Sequence, residues 1–257
     1  MKNVAYYKSR IKTYYETVMI VALKNLKLRY RNSALGFLWT LINPLFMLSI
    51  FVFVFGKIVN NIENYPLYVL SGLIFWNFFV SSSNQMINKI LESGGILKSV
   101  NIPPVIFPLS ALISNLINFL ITFVPFFALM IFFGYRPSWI TLLIIPYIAL
   151  FSMFTFGFSM ILTSMNVFFR DIEMFWTSIT PALFYATPVV YMVPADIKNY
   201  MLLNPFTHFM ELARDILYWD RIPTLGHVVY PILITAVALF AGLSVYNILR
   251  KGFISQF

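Results

Sequence analysis

Seven charged side chains crowd one stretch of this chain: Asp196, Lys198, Glu211, Arg214, Asp215, Asp220 and Arg221. Carboxylates set this close suit general acid–base catalysis or metal binding, and Asp196, Glu211, Asp215 and Asp220 would have to supply that chemistry in any enzyme built on this sequence. None of the four falls in a recognisable catalytic spacing, and Arg214 and Arg221 stand near enough to pair with them. His208 and His227 share the stretch without metal-ligand spacing. The chain has no G-x-x-x-x-G-K-[ST] loop to cradle a nucleotide phosphate, no H-E-x-x-H and no G-x-S-x-G. It has no cysteine, which excludes disulfides, thiolate chemistry and cysteine-held metal. No catalytic residue and no metal set is therefore assigned.

Two other charge groups sit in short breaks between apolar runs. Lys89-Ile-Leu-Glu92-Ser-Gly-Gly-Ile-Leu-Lys98 mixes charge with a double glycine and near-helical apolar spacing, and closes on Pro103-Pro104. It reads as a short helix across one face of the molecule, open to a partner's grip. Arg170-Asp171-Ile-Glu173 plays the same part in a later break. The competing reading of both is a solvated loop whose charge only fixes topology.

The elements that must carry these residues are apolar. Residues 35–56 and 65–87 hold no charge, and 102–169 hold only Arg136. The chain is 60% hydrophobic and 19% aromatic over 257 residues, which no water-soluble core could bury. A helix of about 20 apolar residues crosses roughly 30 Å of hydrocarbon. We read an all-α polytopic membrane protein with six transmembrane helices, at about 35–57, 66–88, 104–133, 139–165, 174–193 and 228–249. The whole chain, 1–257, forms one transmembrane domain: a cytoplasmic amphipathic segment 1–34, six spans over 35–249, and a cytoplasmic tail 250–257. The first apolar run is too long for a signal h-region and leads into Gly56-Lys57-Ile58, not a cleavage site.

Within 1–34, Val18, Ala22, Leu26 and Tyr30 recur at helical spacing while Lys24, Lys27 and Arg31 mark another face. That is an amphipathic helix lying in the membrane interface, unless the segment is merely a solvated basic tail. Between the last two spans, the apolar piece 200–210 is too short to cross a bilayer, so two short re-entrant helices are expected there, broken at Asn204-Pro205. An even number of spans puts both termini on one side. That side collects 13 Lys and Arg against 5, eight of them ahead of the first span, which places both termini in the cytoplasm. The net charge of +9 thus reflects topology and anionic lipid, with no nucleic-acid partner implied.

The string Leu28-Arg29-Tyr30-Arg31-Asn32-Ser33-Ala34-Leu35-Gly36-Phe37-Leu38-Trp39, followed by Asn43-Pro44-Leu45, resembles the approach to the first span in permeases of type-2 ABC exporters. Asn166-Val-Phe-Phe-Arg170-Asp171-Ile-Glu173 resembles that family's loop after the fourth span. Tyr185-Ala-Thr-Pro188-Val-Val-Tyr191 and Asn204-Pro205, with Arg214-Asp215 beyond, are similar to its fifth span and re-entrant helices. The resemblance runs nearly end to end and is strongest to Wzm-type permeases that export lipid-linked O-antigen polysaccharide, with capsule and teichoic-acid exporters as near relatives.

The resemblance implies a bacterial inner-membrane protein that pairs with a second copy of itself and with two separate ATPase subunits. ATP and Mg would bind on those subunits, and no cofactor on this chain. Lys89, Glu92, Lys98, Arg170, Asp171 and Glu173 would form the ATPase-coupling surface. Arg29 and Arg31 would stand at the cytoplasmic entrance, where guanidinium forks attract the lipid pyrophosphate. Sugar C–H faces pack on aromatic rings, so a glycan channel calls for aromatics with small polar companions. The candidates are Phe46 and Phe53, Trp176, Phe184 and Tyr185, with Asn43 and Thr187. An integral membrane transferase acting on lipid-linked sugars is the alternative from another class.

Overall fold

The computed structural model describes residues 2–31, 33, 35–57 and 62–256. Asn32 and Ala34 in the motif before the first span, Ile58 after it and Phe257 in the tail lie outside the described residues. Among the described residues every regular element is helical. The main ones are α1 (Lys2–Tyr30), α2 (Trp39–Phe55), α3 (Tyr65–Ile87), α4 (Lys89–Glu92), α5 (Gly94–Ser99), α6 (Ile106–Phe132), α7 (Ile144–Asn166), α8 (Asp171–Ala186), α9 (Lys198–Met201), α10 (Pro205–Leu217) and α11 (Leu225–Leu249).

Among the described residues, four helical segments are long and apolar enough to cross a membrane: Tyr65–Ile87, Ile106–Phe132, Trp139–Asn166 and Leu225–Gly252. The apolar α2 has 17 residues and α8 has 16, so each is about 25 Å long at 1.5 Å per residue, short of the roughly 30 Å hydrocarbon core. The fifth expected span, 174–193, is replaced by the shorter α8, because Thr187 turns to φ −108° and ψ 134° ahead of Pro188. A residue preceding proline avoids the helical region. Residues 187–193 therefore run on without helix.

The centre of the bundle is α3, buried along most of its length and contacted by α2, α6, α7, α8 and α10. Water does not drive helices together in lipid; packing and hydrogen bonds do. Here aromatic rings supply the packing. Phe75 meets Phe119, Tyr147 and Phe151 edge-on at 5.2, 4.9 and 5.6 Å, and Phe79 meets Phe206 at 4.5 Å. Such pairs contribute roughly 0.5–1.5 kcal/mol each beyond their area. By contrast, the predominantly apolar α11 buries only Pro231, Thr235, Gly242 and Tyr246, and packs mostly against α7.

The N-terminal α1 packs along α6, burying Val18 and Ala22 and exposing Lys24 and Lys27. The break before α10 falls at Asn204-Pro205, as the sequence indicated. Asn204 caps the helix by accepting from the Phe206 N–H at 3.0 Å, and Pro205 takes the first helical position.

Candidate functional site

Polar residues gather at three places, two at opposite ends of α3 and one along its flank. At its C-terminal end, Asn88 and Asn166 join the breaks that hold the expected coupling residues. Buried Asn166 donates from Nδ2 to Asn88 Oδ1 at 2.9 Å and to the Ile87 carbonyl at 3.2 Å, and its Oδ1 accepts from the Glu173 N–H at 3.2 Å. Asn88 Nδ2 donates to Glu173 Oε1 at 2.6 Å. Asp171 and Glu173 lie in the first turn of α8, where acidic groups complement the helix dipole. Lys89 pairs with Glu92 at 2.6 Å on α4. A recess of about 470 Å³ runs between Asn88, Gly94, Gly95, Arg170, Glu173 and Gln256. Of the expected residues, Arg170 and Glu173 line this recess; Lys89 and Glu92 lie on α4, Asp171 opens α8, and Lys98 is exposed on α5. Sequence reasoning missed Asn88 and quoted Asn166 only as the start of the loop motif, with no role; amides closing apolar runs were the available signal.

The second place is a cavity of about 320 Å³ between α1, α2, α3 and α6. Arg29 reaches in from α1, its Nη2 donating to Asn115 Oδ1 at 2.8 Å. Asn115 Nδ2 donates onward to Gln85 Oε1 at 2.7 Å. The Tyr30 hydroxyl donates to Asn118 Oδ1 at 3.0 Å and lies 2.6 Å from Thr40 Oγ1. Asn43 lines the same cavity, whereas Arg31 is exposed and does not. The amides of α3 and α6 were not singled out in the sequence.

The third place is the N-terminal end of α3. Arg214 of α10 is buried, with Nη2 donating to the Val189 carbonyl at 2.6 Å and its guanidinium carbon 3.8 Å from the centre of the Tyr68 ring. Tyr65 and Tyr68 donate to the carbonyls of Val190 and Tyr191, both at 2.9 Å. These three side chains satisfy the non-helical stretch after α8 that the helix ladder leaves open. Burial pulls the Arg214 guanidinium below its usual value, while Tyr68 and Glu211 act the other way. Burial, then the Tyr135 and Glu63 charges, push the Tyr218 hydroxyl up to about 12.

Asp215 is 1% exposed. Arg221 donates to its Oδ1 at 2.6 and 2.8 Å, and His227 Nδ1 stands 2.5 Å from its Oδ2. Glu211 lies 3.5 Å from the same imidazole, Asp220 bonds Ser138, and Asp196 is exposed on its own. Asp215 is paired with Arg221 and shares His227 with Glu211 beside one cavity of about 250 Å³, while Asp196 and Asp220 do not line it.

The channel candidates divide. Phe46, Phe53 and Tyr185 are exposed at 61%, 87% and 65%, and Asn43 is exposed with them. Trp176 and Thr187 are interior: Trp176 Nε1 donates to Ser83 at 3.1 Å, and Thr187 accepts from Asn204 at 2.9 Å. Phe184 is half-buried, tilted against Phe51 and Trp76.

Apolar helices around a polar flank cavity and a recessed loop face define a helical membrane protein. The family model of the ABC-2 type transporter matches residues 16–218, and the chain belongs to that family. It is similar to the O-antigen export system permease protein RfbA of Klebsiella pneumoniae, at 32% identity over 93% of this chain and 94% of that one. The protein of the same name from Myxococcus xanthus is 31% identical over 90% and 91%. The polysialic acid transport protein KpsM of Escherichia coli is 24% identical over 93% and 96%.

Proposed function

We propose that this chain is the permease subunit of an ATP-driven exporter that carries lipid-linked, O-antigen-like polysaccharide from the cytoplasm across the inner membrane. The observation that carries this reading is the end-to-end match to O-antigen export permeases, at 31–32% identity against 21–24% for the capsule and polysialic acid transport proteins. That gap favours O-antigen-like cargo over a capsule polymer; a teichoic-acid exporter of the same family is the other alternative.

In this reading α2 and α8 complete a set of six spans within one transmembrane domain, and α9 and α10 dip into the outer leaflet as re-entrant elements. Both termini face the cytoplasm, in keeping with the lysines and arginines ahead of α2. Two copies pair, and two ATPase subunits seat on the face formed by Lys89, Glu92, Lys98, Arg170, Asp171 and Glu173. ATP and Mg stay on those subunits. The bond from Asn88 to Glu173 ties the start of α8 to the end of α3, so a push on either break moves both helices. Arg29 and Arg31 stand at the cytoplasmic entrance, and Asn43, Phe46, Phe53, Phe184 and Tyr185 line the route between copies, with Trp176 and Thr187 supporting it from behind.

The test is deletion of the protein in its native cell. Polymer should accumulate on its lipid carrier at the cytoplasmic face and vanish from the surface, and the restored gene should reverse both. Polymer that never forms would point to a transferase. Glu173→Ala in the same strain should lower surface polymer while the ATPase still co-purifies; normal export would remove Glu173 from the coupling element.

A further inference from the structure

The flank cavity holds more polar capacity than the protein uses. Asn43 and Asn77 line it and make no hydrogen bond among the described residues, and Nδ2 of buried Asn118 has no partner. Three amides with spare donors inside apolar helices are costly, because hydrocarbon offers no partner. Arg29, which lines the cavity, uses Nη2 on Asn115, and its other guanidinium donors make no hydrogen bond among the described residues. Trp39 and Phe119 supply aromatic surface to the same walls. One cation, several two-way amides and aromatic faces match a sugar carried on a phosphate, and a volume near 320 Å³ sits at the small end of ligand pockets, roughly 300–1,000 Å³.

We propose that this cavity, inside a single protomer, binds the lipid-proximal sugar and phosphate of a glycolipid taken from the surrounding leaflet. It is a loading site entered past the start of α2, with Phe46, Phe53 and the α8 surface outside it. Arg29 meets the phosphate, Asn77 and Asn118 bond the sugar hydroxyls, and Trp39 covers a sugar face. The rim residues Arg29, Trp39 and Asn43 are exposed, so the headgroup enters from outside the bundle. Pro44, buried beside the cavity within α2, removes one helical hydrogen bond where the wall must adjust. The proposal rests on the export reading above.

The test is photo-crosslinking of the purified protein in phospholipid nanodiscs. One probe is a polyprenyl-phosphate-linked hexose with a diazirine on the sugar; the other is phosphatidylglycerol with a diazirine on its headgroup. The sugar probe should label the cavity walls of α3 and α6, and unlabelled glycolipid should compete. Asn77→Leu breaks no protein hydrogen bond and should preserve the thermal melt, yet weaken that competition about ten-fold, as loss of one buried ligand bond does. Equal labelling by phosphatidylglycerol would make the cavity a general phospholipid site and overturn the proposal. Unchanged competition in Asn77→Leu would overturn it too. Sugar label confined to the exposed faces of α2 and α8 would reject the cavity and keep the export reading, whereas no label anywhere on the chain would count against both.

Discussion

Arg214 shows how one side chain can hold a non-helical segment inside a helical bundle. It bonds the Val189 carbonyl and stacks on Tyr68, and the guanidinium plane makes both contacts possible at once. Gly72 makes room for it: a Cβ there would lie 2.5 Å from the Val189 oxygen and 3.2 Å from Arg214 Nη2. Arg214→Lys keeps the charge but loses the plane, and should destabilise the protein by roughly 1–3 kcal/mol, the range for a compromised buried hydrogen bond. The check is thermal unfolding of the detergent-solubilised protein, followed by size-exclusion fluorescence. Glu211→Gln, half-buried and 3.5 Å from its imidazole partner, should stay within about 0.5 kcal/mol. Equal losses in the two variants would deny Arg214 its bracing part. The pairing of arginines with carboxylates was legible in the sequence, and Arg221 does hold Asp215. The turn of Arg214 away from Asp215 toward a backbone carbonyl was not, because it depends on where the chain after α8 comes to rest. The amides of the flank cavity escaped notice for a similar reason: each is a lone polar letter in an apolar run, and only packing brings Asn77, Asn115 and Asn118 together.

Among the elements, the long helices followed the charge-free runs closely, 66–88 becoming Tyr65–Ile87 and 104–133 becoming Ile106–Phe132. Hydropathy identifies such segments because every backbone group must be satisfied within them. It failed after α8, where apolar residues continue but Thr187-Pro188 ends the helix and side chains from α3 and α10 bond the carbonyls instead. It also gave no sign of how closely α7 and α11 approach. A Cβ on Gly242 would lie 2.1 Å from the Gly157 carbonyl oxygen, so these two glycines set the distance between the helices. Gly242→Leu should push them apart and cost roughly 1–3 kcal/mol, the usual penalty for overfilling a packed contact. Gly226→Ala on the same helix meets only the Tyr230 ring at 3.8 Å and should be close to neutral. Thermal melts of the two variants decide it, and a neutral Gly242→Leu would mean that α11 is free to slide on α7.

At the scale of the whole molecule, apolar surface is distributed unequally in kind. The exposed positions of α11 are mostly aliphatic and aromatic, with Asn247 near its end, and the helix leans chiefly on α7. The exposed faces of α2 and α8 differ: Asn43, Ser49, Thr177 and Ser178 interrupt them beside Phe46, Phe53 and Tyr185. The hydroxyls of Ser49, Thr177 and Ser178 bond carbonyls of their own helices, so the exposed Asn43 amide is the group that a second copy or a polar cargo would satisfy. The pairing proposed above would use this face, and a two-fold pair would set like residues near each other. The sequence has no cysteine, so an introduced one is the sole thiol. Tyr185→Cys and Phe53→Cys in native membranes should yield linked dimers with a short bis-maleimide, whereas Phe240→Cys, 77% exposed on α11, should stay monomeric. Crosslinks that form equally at all three positions would report random collision. Crosslinks at Phe240→Cys alone would move the pairing surface to α11, turn α2 and α8 toward lipid, and leave a glycan no polar route between copies.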